Sequence, residues 1–238
     1  MERHHRYLVQ YMLKNGIKPI KKVLKYCTLV SEGAVQDVNQ LKLMILDINR
    51  EISKQNFKLV LGRCEVTDEN IVMWLNTKDD NISKFQISFS ALEMEYFNVL
   101  LKEIINSQSH KLTYATVLNI TSTLSTHLSR DNGQTVFTKW LKGGYFVKID
   151  DYVYLGPRTI FEFTSFLKSH CPEQICNLCL ELVFTGTKCG SCERPFHSHC
   201  LQKYLNNQTN CPCCKNMWNE LRNGNCDQML LMDNDPVI

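Results

Sequence analysis

The chain has 238 residues, 44% of them apolar, with a formal net charge of +3. That length exceeds one typical domain and can bury a sizeable core, while the small charge neither requires nor rules out an acidic partner. No apolar run approaches the ~20 residues that span a bilayer, and the charged start Met1-Glu2-Arg3-His4-His5-Arg6 lacks the apolar centre of a secretory signal. The expectation is therefore a soluble intracellular protein with no membrane partner. In a reducing compartment, clustered Cys-x-x-Cys pairs are metal ligands rather than disulfides. The basic bias is N-terminal: residues 1–63 hold twelve Lys/Arg against five Asp/Glu.

Residues 3–14 place Leu8, Tyr11 and Met12 on one helical face and stop at Asn15-Gly16, a C-terminal cap. A second helix has Pro19 near its first turn, Ile20, Val23, Leu24 and Cys27 inside, and Lys18, Lys21, Lys22 and Lys25 outside. Val38, Leu41, Ile45, Ile48 and Ile52 mark a third. The period then becomes extended, with short β-prone runs at Phe57–Leu61 and Ile71–Leu75 joined through Asp68, Glu69 and Asn70. Three helices followed by a hairpin is the order of a winged helix.

A polar stretch, Asn76–Lys84, closes that unit, and Ser90-x-x-Glu93 offers a capping box for a helix burying Tyr96, Phe97, Leu100, Leu101, Ile104 and Ile105. Another helix starts near Thr113, and a third carries Val136, Phe137, Trp140 and Leu141 up to Gly143-Gly144. A hairpin follows, Tyr145–Ile149 and Tyr152–Leu155, turning at Asp150-Asp151. Gly156-Pro157 then opens one helix holding Ile160, Phe163, Phe166 and Leu167. The order of helices then hairpin thus occurs twice, without an alignable repeat. Asn223–Ile238 is polar with little periodicity and reads as a loose tail. The expected class is α+β: winged-helix domains at 1–88 and 89–170, a zinc domain at 171–220 and a flexible tail at 221–238.

The chemistry concentrates in one stretch. Cys176-x-x-Cys179, Cys189-x-x-Cys192, His197-x-x-Cys200 and Cys211-x-x-Cys214 form four pairs, enough for two tetrahedral zinc ions. Two thiolates separated by two residues can turn back and occupy two corners of one tetrahedron at Zn–S distances of ~2.3 Å. Spacing alone allows either interleaved or sequential pairing of the four half-sites. His197 keeps the two-residue spacing and is preferred to His199, and Cys213 reads as a spare. Cys27, Cys64, Cys171 and Cys226 have no partner at ligand spacing and read as ordinary thiols. With every corner filled by protein, the zinc is structural and leaves no position for an activated water.

No Gly-rich phosphate loop and no Ser-His-Asp or Cys-His order is present, so no catalytic residue is assigned. Lys18, Lys21, Lys22 and Lys25 read first as a solvated face, with phosphate contact the lesser alternative. The third helix of the first unit mixes Lys42, Arg50 and Lys54 with Asp37, Asp47 and Glu51, and that of the second offers little beyond Lys139 and Lys142. Helices this close to neutral suit protein binding better than base reading, which leaves any DNA binding weak and non-specific.

The order four cysteines, histidine, three cysteines resembles a variant RING and is shared with PHD fingers. A PHD finger usually has tryptophan two residues before the seventh ligand, where this chain has Thr209; the last pair, Cys211-Pro212-Cys213-Cys214, matches the Cys-Pro-x-Cys frequent in RINGs. With Trp140-Leu141 to Tyr154-Leu155, Cys176-Asn-Leu-Cys179 through Cys189-Gly-Ser-Cys192, Phe196-His197 and Trp218, the chain resembles the RING-bearing first non-SMC element subunit of the Smc five-six complex. The resemblance implies a cross-brace, with Cys176, Cys179, His197 and Cys200 on one zinc and Cys189, Cys192, Cys211 and Cys214 on the other. It also implies a nuclear, chromosome-associated role in recombinational DNA repair, a MAGE-family winged-helix partner, a kleisin subunit, and ubiquitin-ligase activity dependent on the MAGE partner. A RING ligase works by orienting a ubiquitin-charged conjugating enzyme. The matching contact positions are Leu178, Pro212 and Lys215, the last where active RINGs often carry arginine, whose planar fork lysine lacks.

Overall fold

Helical periodicity governs the first 52 residues. The computed structural model describes residues 1–78 and 89–218, and within these α1 is Arg3–Asn15, α2 Ile20–Val30 and α3 Val38–Ile52. Leu8 and Met12, Val23 and Cys27, and Leu41, Met44, Ile45, Ile48 and Ile52 turn inward at three- and four-residue steps to make one core. The expected stripe of α3 includes Val38, yet that residue, the first of the helix, is 37% exposed and lines an open surface groove with Ile20, Leu61 and Gly62. Asp37 caps α3 by accepting from the backbone N–H groups of Asn39 and Gln40 at 2.7 and 2.9 Å. Asp37→Ala is expected to destabilise the protein by ~1 kcal/mol and Asp37→Asn by less, read from denaturation midpoints.

Strands β2 (Phe57–Arg63) and β3 (Asn70–Asn76) pair antiparallel as expected. The sequence pattern conceals a third strand, β1 (Ile17–Pro19), which pairs with β3 and puts the sheet in the order β1-β3-β2. The second helix–sheet module repeats the plan with α4 (Ala91–Asn106), β4 (Lys111–Thr113), α5 (Tyr114–Asn119), α6 (Arg130–Gly143), β5 (Phe146–Ile149) and β6 (Tyr152–Leu155), in sheet order β4-β6-β5. The Ser90–Glu93 capping box forms, and all six residues expected on the inner face of α4 are buried. Fully buried Trp140 sits at the centre, 5.2 Å from Tyr96 and 5.3 Å from Phe97 between ring centroids. The single helix expected after Gly156 is instead α7 (Pro157–Glu162) and α8 (Thr164–His170), because Phe163 leaves helical geometry at φ −106°, ψ 22° to enter the core.

The two modules pack into one unit, Met1–Gln174. Glycine caps permit the close approach. Gly16 and Gly144 both have positive φ, 70° and 79°, and a Cβ on either would stand 2.9 Å from Arg158 or 2.7 Å from Ile17. Glu162, its side chain 1% exposed, ties the modules electrostatically. It accepts from Arg158 Nε at 2.9 Å, from the Asn76 backbone N–H of the other module at 3.1 Å, and from the Tyr145 phenol. Cys27, Cys64 and Cys171 are buried thiols, and burial pushes Cys27 up to about 11. Cys226, the tail at 221–238 and most of the polar stretch 76–84 lie outside the described residues. No helix among the described residues is long and apolar enough to cross a membrane.

Candidate metal centre

The second unit begins at Ile175 and is built from three Cys-x-x-Cys turns, each at the tip of a minimal antiparallel pairing. These pairings are Ile175 with Leu182, strands β7 (Thr187–Lys188) with β8 (Pro195–Phe196), and Asn210 with Met217. Each turn closes in the same way. The N–H four residues on returns to the carbonyl of the first cysteine, in Leu180 to Cys176 at 2.8 Å, Glu193 to Cys189 at 2.9 Å and Lys215 to Cys211 at 3.1 Å. The same three residues, Leu180, Glu193 and Lys215, take left-handed φ values of 64°, 57° and 63°. That conformation is unfavourable for a side chain with Cβ and persists only where its surroundings impose it. Within the turns backbone donors also reach sulfur: Ser191 N–H lies 3.4 Å from Cys189 Sγ and Cys213 N–H 3.4 Å from Cys211 Sγ.

The turns come together in the interleaved pairing. Cys176, Cys179, His197 and Cys200 form one cluster and Cys189, Cys192, Cys211 and Cys214 the other, with ligand atoms in each within 4.8 Å of one another. In the second, Cys189 Sγ is 3.8 Å from Cys214 Sγ and Cys192 Sγ is 3.8 Å from Cys211 Sγ. A zinc tetrahedron with ~2.3 Å bonds has S–S edges of about 3.8 Å. In the first, His197 Nδ1 lies 3.3 Å from Cys179 Sγ and 4.0 Å from Cys200 Sγ. His197 Nε2 lies 2.9 Å from the Leu182 carbonyl; as the donor there, it leaves the Nδ1 lone pair to the metal. Both clusters therefore fit two zinc ions with all corners supplied by protein.

Burial opposes ionisation of Cys176, but the N–H groups of His197, Leu178 and Cys179 outweigh it and bring this thiol down to about 7. At Cys189 burial is likewise outweighed, chiefly by Ser191 and Cys192 N–H, again to about 7. Burial and the surrounding sulfurs push Cys192 and Cys200 up to about 12. In each folded cluster, backbone donors thus favour the thiolate form of one sulfur.

His199 stacks on His197 with ring centroids 5.1 Å apart and belongs to neither cluster, and exposed Cys213 also stays outside. Leu178 is half-buried against the cluster core. Pro212 and Lys215 share the third turn, where the exposed Lys215 Nζ donates to the Pro212 carbonyl at 3.0 Å. Helix α9 (Ser198–Leu205) borders an open groove of about 510 Å³ with Leu201, Leu205 and Trp218 in its wall. Sequence reasoning missed Leu182, since a carbonyl acceptor leaves no mark in residue type.

Comparison with known proteins agrees with this architecture. A family model described as Nse1 non-SMC component of SMC5-6 complex matches residues 5–162, and one described as RING-like domain matches residues 176–216. The chain is 28% identical over 220 residues to the Non-structural maintenance of chromosomes element 1 homolog of Drosophila melanogaster, covering 91% of each chain. It is 24% identical to the Homo sapiens protein of the same name, over 90% of this chain and 83% of that one. A chain of a solved Nse1-Nse3-Nse4 complex superposes with a TM-score of 0.76 at 19% identity, covering 92% of this chain and 97% of that one. With its family model spanning well over half of its length and a RING-like domain after it, the chain belongs to the Nse1 family of SMC5-6 complex components.

Proposed function

We propose that this protein is the RING-type ubiquitin-ligase subunit of its SMC5-6 complex, acting in recombinational DNA repair on nuclear chromosomes. Its modules at 1–88 and 89–170 are winged-helix domains that dock a MAGE-family subunit beside a kleisin, followed by a variant RING at 171–220 and a tail at 221–238. The name of the matched assembly, with its Nse3 and Nse4 subunits, supports that pair of partners.

The observation carrying the ligase reading is that two complete, interleaved four-ligand clusters leave no open coordination position. Zinc supplies rigidity here: it holds the turns bearing Leu178, Pro212 and Lys215. These residues contact a ubiquitin-charged conjugating enzyme and hold its thioester in reactive geometry, an orientation effect needing no nucleophile from this chain. Lys215 limits the activity. Its ammonium is turned onto the Pro212 carbonyl and cannot offer arginine's planar fork, so the chain alone is a weak ligase. The same bond favours a second reading, in which the RING only braces the complex.

Thioester discharge from a charged conjugating enzyme, with the MAGE partner present, separates the two. The ligase reading expects clear acceleration, lost in Cys189→Ser and Pro212→Ala and raised severalfold in Lys215→Arg. Discharge no faster than with Cys189→Ser leaves the bracing role.

A further inference from the structure

Residues 3–31 contain seven Lys/Arg, namely Arg3, Arg6, Lys14, Lys18, Lys21, Lys22 and Lys25, and no Asp or Glu. In the fold this segment is α1, β1 and α2, with Arg3, Arg6, Lys14, Lys21, Lys22 and Lys25 exposed and Lys18 half-buried. Among the described residues, no ion pair engages any of the seven. Nearby cations behave differently: Arg50 pairs with Asp47, Lys54 with Glu51 and Arg63 with Asp68. A merely solvated face would intersperse both signs, as α3 does.

Tyrosines join the two helices into one surface. Arg3, Tyr7, Tyr11 and Lys14 follow at four- and three-residue steps along α1, while Lys22, Lys25 and Tyr26 are neighbours on α2. The rings of Tyr11 and Tyr26 stack at 4.2 Å with 15° between planes, and the Tyr26 hydroxyl donates to the Tyr7 carbonyl at 3.5 Å. Arg3 Nε donates to the Tyr7 hydroxyl at 2.8 Å. The apolar residues Leu8, Met12, Val23 and Cys27 point into the core, while Leu13 and Leu29 stand exposed near the C-terminal ends of the two helices.

We propose that this joined α1–α2 face binds the phosphate backbone of duplex DNA without reading sequence. Its cations are spread along a helix of ~20 Å rather than gathered into a pocket. That length spans about six base pairs at ~3.4 Å each, which suits a linear polyanion. The proposal is independent of the ligase reading.

The test is fluorescence anisotropy of the full zinc-loaded chain with labelled 24-base-pair duplexes of two unrelated sequences, across a salt series. Both duplexes bind alike at low salt. The variant Lys21→Gln/Lys22→Gln/Lys25→Gln loses roughly tenfold or more in affinity, and its log–log salt slope becomes shallower by about 2.7, the value for three lost phosphate contacts. The corresponding triple arginine variant keeps parental binding, as does Lys139→Gln/Lys142→Gln on α6. The proposal is overturned by no parental binding at low salt, by unchanged affinity and slope in the triple glutamine variant, or by equal loss in the α6 variant. It is also overturned if polyglutamate binds as tightly as the duplex at matched salt, which would make the face a site for acidic protein.

Discussion

Chelating zinc is expected to unfold residues 175–218 while the helix–sheet unit stays folded. The buried core of the second unit is Cys176, Val183, Cys189, Phe196, Leu201 and Cys211, and three of these six are ligands. Without metal the remaining apolar contacts cannot offset the entropy of ordering the chain, whereas a structural zinc supplies ~10–16 kcal/mol apparent in finger peptides. Native protein should hold two zinc ions, and Cys189→Ser should fall to about one with loss of order in this unit. Metal analysis with amide exchange checks both; a chelated protein with unchanged protection over 175–218 contradicts the assignment. Acidification acts in the same direction. Zinc competes with protons for each thiolate, so affinity falls as pH falls, by about tenfold per pH unit for every proton displaced. Competition titrations from pH 8 to pH 6 measure this slope.

Glu162→Ala is expected to destabilise the first unit by ~3–5 kcal/mol, the usual effect of removing one partner from a buried pair. The substitution strands the Arg158 guanidinium, whose side chain is 16% exposed and which lies 4.5 Å from the Tyr145 ring centroid. It also removes the acceptor of the Asn76 N–H, the backbone link from β3 to the second module. The shift is measured as a lower denaturation midpoint. The double variant Arg158→Met/Glu162→Leu should recover only part of it, because it removes the stranded guanidinium but still leaves the Asn76 N–H and the Tyr145 hydroxyl without their acceptor. A change below about 1 kcal/mol in Glu162→Ala would show that water replaces these contacts freely.

The helices were legible in the sequence because their buried stripes repeat every three or four residues and their ends carry local caps, such as Gly16 and Ser90. The zinc ligands were legible for a related reason: a two-residue spacer is a local constraint, and each turn closes through its own backbone. The short strands β1 and β4 were not legible. A three-residue strand has no pattern of its own, and these two exist only through pairing with β3 and β6, which lie some forty to fifty residues further along the chain. The break at Phe163 and the exposure of Val38 were hidden likewise, since both depend on where the rest of the core ends.

By itself, then, the sequence determined which residues can hold metal, where most of the helices run, and that two helix-then-hairpin segments precede the cysteines. Tertiary structure decided how the four half-sites pair and which His197 nitrogen faces the metal, because the Leu182 carbonyl that orients the ring comes from a different turn. It also turned Glu162 from an ordinary helical glutamate into a buried link between modules. Nothing local marks that residue: Arg158 lies one helical turn away, but the Asn76 N–H that completes its environment comes from a strand 86 residues earlier.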